Sequence, residues 1–426
     1  MGEIGSSSRT ADSAQSVLEG RAKGGLLKRV LPFLGPAFVA SVAYIDPGNY
    51  ATNIQAGAQF GYTLIWVIFA SNLIAMLVQA MAAKLGIATG RNLAQHCRAS
   101  YPEWANWALW IMMEIVAMAT DLAEFLGAAV GMGLLFGMPL WVGGLVTAVA
   151  TFLILALERY GFRPLEAVIT GFVAVVAVSY LLETFIARPN WTAIGVALAR
   201  PSLPGKEGSL LAVGILGATV MPHAIFLHSA LTQNRIRPEE GRGLRRLFHF
   251  ELVDVFIAMG IASFVNAAML VMSAAAFHNS GNSDVATLDR AYITLKPLLG
   301  NAASYIFGIS LLASGLSSSA VGTSAGQIIM EGFVHKHIPV WLRRLITVVP
   351  SLAVIFAGLE PTRVLVLSQV LLSFGLPVTV FSLLRFTADR KIMGVLANGR
   401  LANLGLGAVA ILISVLNVYL IVVSLA

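Results

Sequence analysis

Cysteine is almost missing from this 426-residue sequence, where Cys97 stands alone. A single thiol excludes an intrachain disulfide and a cysteine-ligated metal cluster. Charge is scarce as well. Asp, Glu, Lys and Arg make up 12% of the residues, against about 25% in a typical soluble domain. Enzymatic motifs are also missing: there is no HExxH, no phosphate loop and no evident nucleophile–base pair. The strict apolar/polar alternation of a membrane β-barrel is absent. Residues 1–27 are polar and rich in Ser, Gly and Ala, so they do not read as a secretion signal and are expected to form a disordered tail.

What fills the chain is apolar surface. Hydrophobic residues make up 57% of it, and the mean hydropathy is +0.81. They gather in stretches long enough for membrane helices, each needing about 20 residues. Eleven spans are expected, near 31–57, 62–87, 104–130, 138–157, 164–187, 209–232, 251–277, 300–330, 342–359, 364–386 and 403–425. The net charge of +7 invites a nucleic-acid reading, but the placement of the charge argues otherwise. With the N-terminus inside, 22 of the 28 Lys and Arg residues fall on cytoplasmic segments and 6 outside. That bias is the topology signal of a membrane protein. It predicts a multi-pass protein of the cell (inner) membrane with a cytoplasmic N-terminus, an external C-terminus and no nucleic-acid partner.

Two spans are interrupted. Span 1 reads Ala43-Tyr44-Ile45-Asp46-Pro47-Gly48-Asn49-Tyr50 at mid-depth. A carboxylate there costs about 3 kcal/mol on insertion scales. Pro47 removes a helical hydrogen bond, and Gly48 tolerates unusual dihedrals. Span 6 reads Ala218-Thr219-Val220-Met221-Pro222-His223. Each span opens a set of five. Matched interruptions in two halves point to inverted repeats with a site at the midplane. The first repeat is expected over 28–187, the second over 209–386, and an extra helix over 403–425, all within a transporter domain of 28–426.

The side chains at the breaks suit a cation. Asp46 offers anionic oxygen and Asn49 a neutral carbonyl oxygen. Backbone carbonyls such as those of Ala43 and Ala218 add more. Oxygen alone suits Mg²⁺ or Ca²⁺. The thioether of Met221 shifts the preference toward Mn²⁺, Fe²⁺ and later divalent metals, although methionine also serves as core filler. Span 3 carries Glu114, Asp121 and Glu124 on one helical face. They read either as a proton relay or as a structural network with Arg343 and Arg344. His223 titrates in a useful range for proton transfer; His228 reads equally as a packing residue. Gln369 in span 10 is helix glue or an ion ligand. Asp254 and Asn266 in span 7 carry the same ambiguity. The run Ser314-Gly315-Leu316-Ser317-Ser318-Ser319 reads as close helix packing.

These motifs resemble the Nramp family of proton-coupled divalent metal transporters. The marks are Asp46-Pro47-Gly48-Asn49, Ala218-Thr219-Val220-Met221-Pro222-His223 and Met118-Ala119-Thr120-Asp121-Leu122-Ala123-Glu124. The Ser314–Ser319 run, Trp341-Leu342-Arg343-Arg344 and Leu367-Ser368-Gln369 match too, so the likeness extends from about residue 30 to the end. The resemblance implies an all-α, LeuT-like fold: two inverted five-helix repeats plus an eleventh helix, with helices 1 and 6 discontinuous. It implies uptake of Mn²⁺ or Fe²⁺ with protons by alternating access, and no enzymatic activity. Asp46, Asn49, Met221 and the carbonyls of Ala43 and Ala218 would bind metal, with Gln369 joining in some conformations. Asp121, Glu124, His223, Arg343 and Arg344 would serve proton movement or gating. The metal is cargo, so no cofactor is expected, and the chain is expected to act as a monomer. An organic-solute symporter on the same fold and a cation channel are the competing readings.

Overall fold

The computed structural model describes residues 8–425, except 20, 22–24, 26–28, 157–161, 234, 237–240, 283–284, 286 and 336–337. Parts of the expected tail and of several loops therefore lie outside the described residues. The described residues are helical or irregular, without a strand. The helices are α1 (Ser8–Leu18), α2 (Pro36–Val42), α3 (Pro47–Phe60), α4 (Ile65–Thr89), α5 (Leu93–Ser100) and α6 (Glu103–Phe136). Then come α7 (Leu140–Ala156), α8 (Phe162–Ala187), α9 (Trp191–Ala199), α10 (Gly205–Thr219), α11 (Pro222–Thr232) and α12 (Arg242–Ala276). The chain ends with α13 (Leu288–Leu299), α14 (Asn301–Val334), α15 (Val340–Phe356), α16 (Pro361–Ala388), α17 (Arg390–Met393) and α18 (Arg400–Leu425).

Each expected span meets a helix or a pair of half-helices. Eight of these are long and apolar enough to cross a bilayer by themselves, the α10–α11 pair counting as one. The α2 half-helix with its following turn, α7 and α15 are shorter. Large apolar side chains such as Phe69, Phe185, Phe256 and Leu404 stand exposed on the outer surface, as a lipid-facing wall requires. Span 7 starts earlier than hydropathy suggests: α12 begins at Arg242, because the Arg-rich segment continues the helix beyond its apolar part. Proline occupies the first turn of α2, α3, α11 and α16, where its missing N–H costs nothing and its fixed φ favours a helical start.

Helices α6 and α14 form the central pair, and α7, α8 and α16 pack around them. A second group brings α3, α4 and α8 against α12, and α11 against α4. Helix α18 lies against α16. Small residues permit the close approach of α6 and α14: a Cβ at Gly315 would sit 2.6 Å from the Ala128 backbone nitrogen. Gly127 of α6 similarly admits the Pro47 ring, which a Cβ would meet at 2.1 Å.

The N-terminal expectation needs correction. Residues 8–18 are not a disordered tail but helix α1, whose Ala14 and Val17 are buried with Phe33 and Leu247. Two small contacts on a polar helix are enough to seat it, and the Arg246 guanidinium ties it down by donating to the Leu18 carbonyl. Helices α5, α9 and α13, which hydropathy does not mark, occupy loops between spans.

Candidate functional site

Pro47 both ends and begins a helix. The chain leaves α2 through a single 3₁₀ turn, Ala43–Ile45, and Asp46 then becomes the N-cap of α3 in extended geometry. The break frees backbone carbonyls, and distant side chains take them up. The Asn266 amide donates to the Tyr44 carbonyl at 2.9 Å, and the Ser314 hydroxyl donates to the Ile45 carbonyl. Asp46 Oδ1 accepts from the Asn49 backbone N–H and from the Asn49 side-chain amide, both at 2.8 Å. Fully buried, this carboxylate is held by capping interactions of the kind that stabilise an anion at a helix N-terminus.

The second break mirrors the first. Helix α10 stops at Thr219, Met221 takes the N-cap position of α11, and Pro222 starts the new helix. The two breaks touch. The Asn49 amide nitrogen donates to the Ala218 carbonyl at 3.1 Å as well as to Asp46. Two acceptors on one nitrogen fix the orientation of this amide and turn Asn49 Oδ1 the other way, where it is buried with no partner. Gln369 approaches from α16, its amide nitrogen 3.5 Å from Asp46 Oδ2, and its own Oε1 is likewise buried and unpartnered. Met221 is fully buried at its break, and Ala43 opens the 3₁₀ turn. Asp46, Asn49, Ala218 and Gln369 are thus joined by hydrogen bonds. Among the described residues no group of three or more His, Cys, Asp and Glu side chains forms a separate metal cage.

The span 3 carboxylates differ in their partners. Glu114 pairs with Arg343 at 2.8 Å, and Asp121 faces Arg344 at 3.7 Å. Arg344 also donates to Ser319 and Thr151. Both oxygens of Glu124 lack a hydrogen-bond partner. Asp121 and Glu124 converge on Gly322, where a Cβ would meet oxygens of both within 3.0 Å. Glu114 and Asp121 are therefore ion-paired, and Glu124 is buried without a hydrogen-bond partner. His223 links α11 to this helix, its Nδ1 3.2 Å from the Thr120 hydroxyl, with Nε2 unpartnered. His228 is satisfied on both sides, by Gln79 at 2.8 Å and Glu251 at 3.0 Å.

Several residues have roles that sequence reasoning missed. Ser314, in a run that reads as close packing, holds the first break together with Asn266, whose amide acts as helix glue there. Asp254 Oδ2 accepts from the backbone N–H groups of Gly35 and Ala37, so it caps α2 rather than facing the site. Tyr44 pairs with Gln79, a polar residue in the middle of α4 that hydropathy alone could have flagged.

Two discontinuous helices whose breaks meet over a buried carboxylate define a membrane transporter of the inverted-repeat, LeuT-like class. Residues 37–423 match the family described as "Natural resistance-associated macrophage protein-like", and the chain belongs to this Nramp family. It is 54% identical over 393 residues to the divalent metal cation transporter MntH of Pectobacterium carotovorum subsp. carotovorum (strain PC1), covering 92% of this chain and 94% of that one. Its fold superimposes on a crystal structure of the Eremococcus coleocola manganese transporter with a TM-score of 0.84 at 34% identity, covering 93% and 87% of the two chains. Mhp1, a nucleobase-cation-symport-1 family transporter, shares the fold at a TM-score of 0.62 and 14% identity, over 92% and 90% of the chains.

Proposed function

We propose that this chain imports divalent transition-metal ions, Mn²⁺ and Fe²⁺ foremost, together with protons. One observation carries the reading: the carboxylate of Asp46 lies in a fully buried cluster with two oxygens, Asn49 Oδ1 and Gln369 Oε1, that have no donor. Unsatisfied buried acceptors beside an anion are costly, and a cation relieves all of them at once. The Met221 thioether and the carbonyls of Ala43 and Ala218 complete a mixed oxygen-and-sulfur shell, which favours a transition metal over Mg²⁺ or Ca²⁺. The names borne by the similar proteins support the same class of cargo.

Protons move through Asp46, Glu124, Asp121, Glu114 and His223, with Arg343 and Arg344 balancing charge. His228 stabilises the α4–α11–α12 contact. The chain works as a monomer in the inner membrane, N-terminus inside and C-terminus outside. The test is Mn²⁺ entry into liposomes under an inward proton gradient. Asp46→Ala should fall to the leak of protein-free liposomes; transport at the wild-type rate sinks the proposal. Met221→Ala should let Ca²⁺ or Mg²⁺ compete better against Mn²⁺. Unchanged discrimination would show that the sulfur is not the filter.

A further inference from the structure

A second buried acid stands away from the metal site. Glu183, on α8, is fully buried, and neither of its carboxyl oxygens has a hydrogen-bond partner. Two phenols lie beside it. Tyr180 is one turn earlier on the same helix, and Tyr50 reaches in from α3, edge-on to Tyr180 at 5.4 Å between ring centroids. Both rings are fully buried, and both are near enough to feel a charge on Glu183. The Ser310 hydroxyl of α14 lies within reach of both phenols, but it donates to the Phe307 carbonyl at 2.8 Å. None of the three hydroxyls is hydrogen-bonded to the acid, and both phenol oxygens are unpartnered.

Among the described residues no cation is paired with Glu183, and Arg188, just past the end of α8, is exposed. Helix α2 carries no titratable side chain. On α12, Arg242, Arg245, Arg246 and His249 lie in the first turns, ahead of Glu251, which binds His228, and Asp254, which binds the amides of Gly35 and Ala37. On α14, Tyr305 is exposed and Glu331 accepts from Gln327. An isolated carboxylate buried this way is strongly disfavoured, and the group takes up a proton instead. Tyr50 gives this proton a use, because it sits one residue after Asn49, at the start of the half-helix that carries the site.

We propose that Glu183 is a second proton-binding residue, which must be protonated for α3 to close against α8 and α14 and must release its proton when α3 moves out and water enters. It acts on the metal site as a positioning residue, through Tyr50. The idea deepens the proton-coupled reading, but its first test does not need that reading to hold.

Infrared difference spectroscopy on the full chain in lipid vesicles, without metal, reads the carboxyl directly. Wild type at neutral pH should show a protonated-carboxyl C=O band that is missing in Glu183→Gln. Identical spectra overturn the assignment and leave the metal proposal standing. Should Glu183→Gln not fold, Tyr180→Phe keeps the acid and removes a neighbouring hydroxyl; the band should then shift, and an unmoved band overturns the assignment. The second readout is Mn²⁺ uptake against external pH. A glutamine cannot release a proton, so Glu183→Gln should flatten the profile while keeping Mn²⁺ binding by calorimetry at the wild-type affinity. A purely structural role would change the rate at every pH and leave the shape of the profile intact, which counts against the proposal.

Discussion

The two breaks look alike in sequence, each a proline at mid-span, yet they are held differently. At the first, other helices reach in: α12 supplies Asn266 to the Tyr44 carbonyl, and α14 supplies Ser314 to the Ile45 carbonyl. Asp46 then caps α3 with its own side chain. At the second, Met221 caps nothing with its side chain, and the Thr219 hydroxyl is buried without a partner. The main side-chain bond there comes from Asn49, across the gap. An anion needs fixed donors and compensating charge, because its solvation has been removed. A thioether needs neither. The first break is therefore a rigid cradle, and the second is a lighter element whose position depends on the first.

The charge network beside the first break should give the largest effect. Arg344 is fully buried and is the basic partner of Asp121. Arg344→Met leaves that carboxylate, with Glu124 next to it, uncompensated, a loss of about 3–5 kcal/mol for a buried pair. Purified protein should unfold at a clearly lower temperature than wild type. A midpoint within a degree or so of wild type would show that these acids are already neutral and that the first break needs no charge balance.

Next come the two carbonyl clamps. Asn266→Ala and Ser314→Ala each strand a buried carbonyl, at a cost of about 1–3 kcal/mol. Both should lower the unfolding midpoint, less than Arg344→Met does. They should also weaken Mn²⁺ binding measured by calorimetry, since the cradle around Asp46 loosens. If neither variant changes stability or binding, the rigidity assigned to the first break is wrong.

Much of this was legible in the sequence, for identifiable reasons. Hydropathy finds spans because a bilayer imposes a length. Proline and glycine mark breaks because their backbone chemistry is local. The chain's Nramp motifs named Asp46, Asn49, Ala218 and Gln369, which the fold does bring together. What stayed hidden depends on distant partners. Asn266 and Ser314 meet carbonyls 222 and 269 residues away, and no local signal announces such a pairing. Glu183 sits near the end of a span, where an acid ordinarily reaches the interface; its helix is packed against α12 and α14, elements far along the chain. Helix α1 escaped notice because a polar segment needs only Ala14 and Val17 to dock.

The smallest effect is expected where the comparison is most exposed to failure. Thr219 ends α10 with its hydroxyl buried and unbonded. Replacing a polar atom that has no partner by an apolar one of similar shape removes a desolvation cost without breaking a bond. Thr219→Val should therefore leave the unfolding midpoint unchanged or raise it slightly, by the equivalent of about 1 kcal/mol at most. Paired with Ser314→Ala, it measures the difference between the breaks directly: one hydroxyl holds a carbonyl and the other holds nothing. A loss at Thr219 as large as that at Ser314 would mean that the second break is clamped too. The asymmetry between a fixed anionic cradle and a lighter thioether-bearing partner would then have to be abandoned.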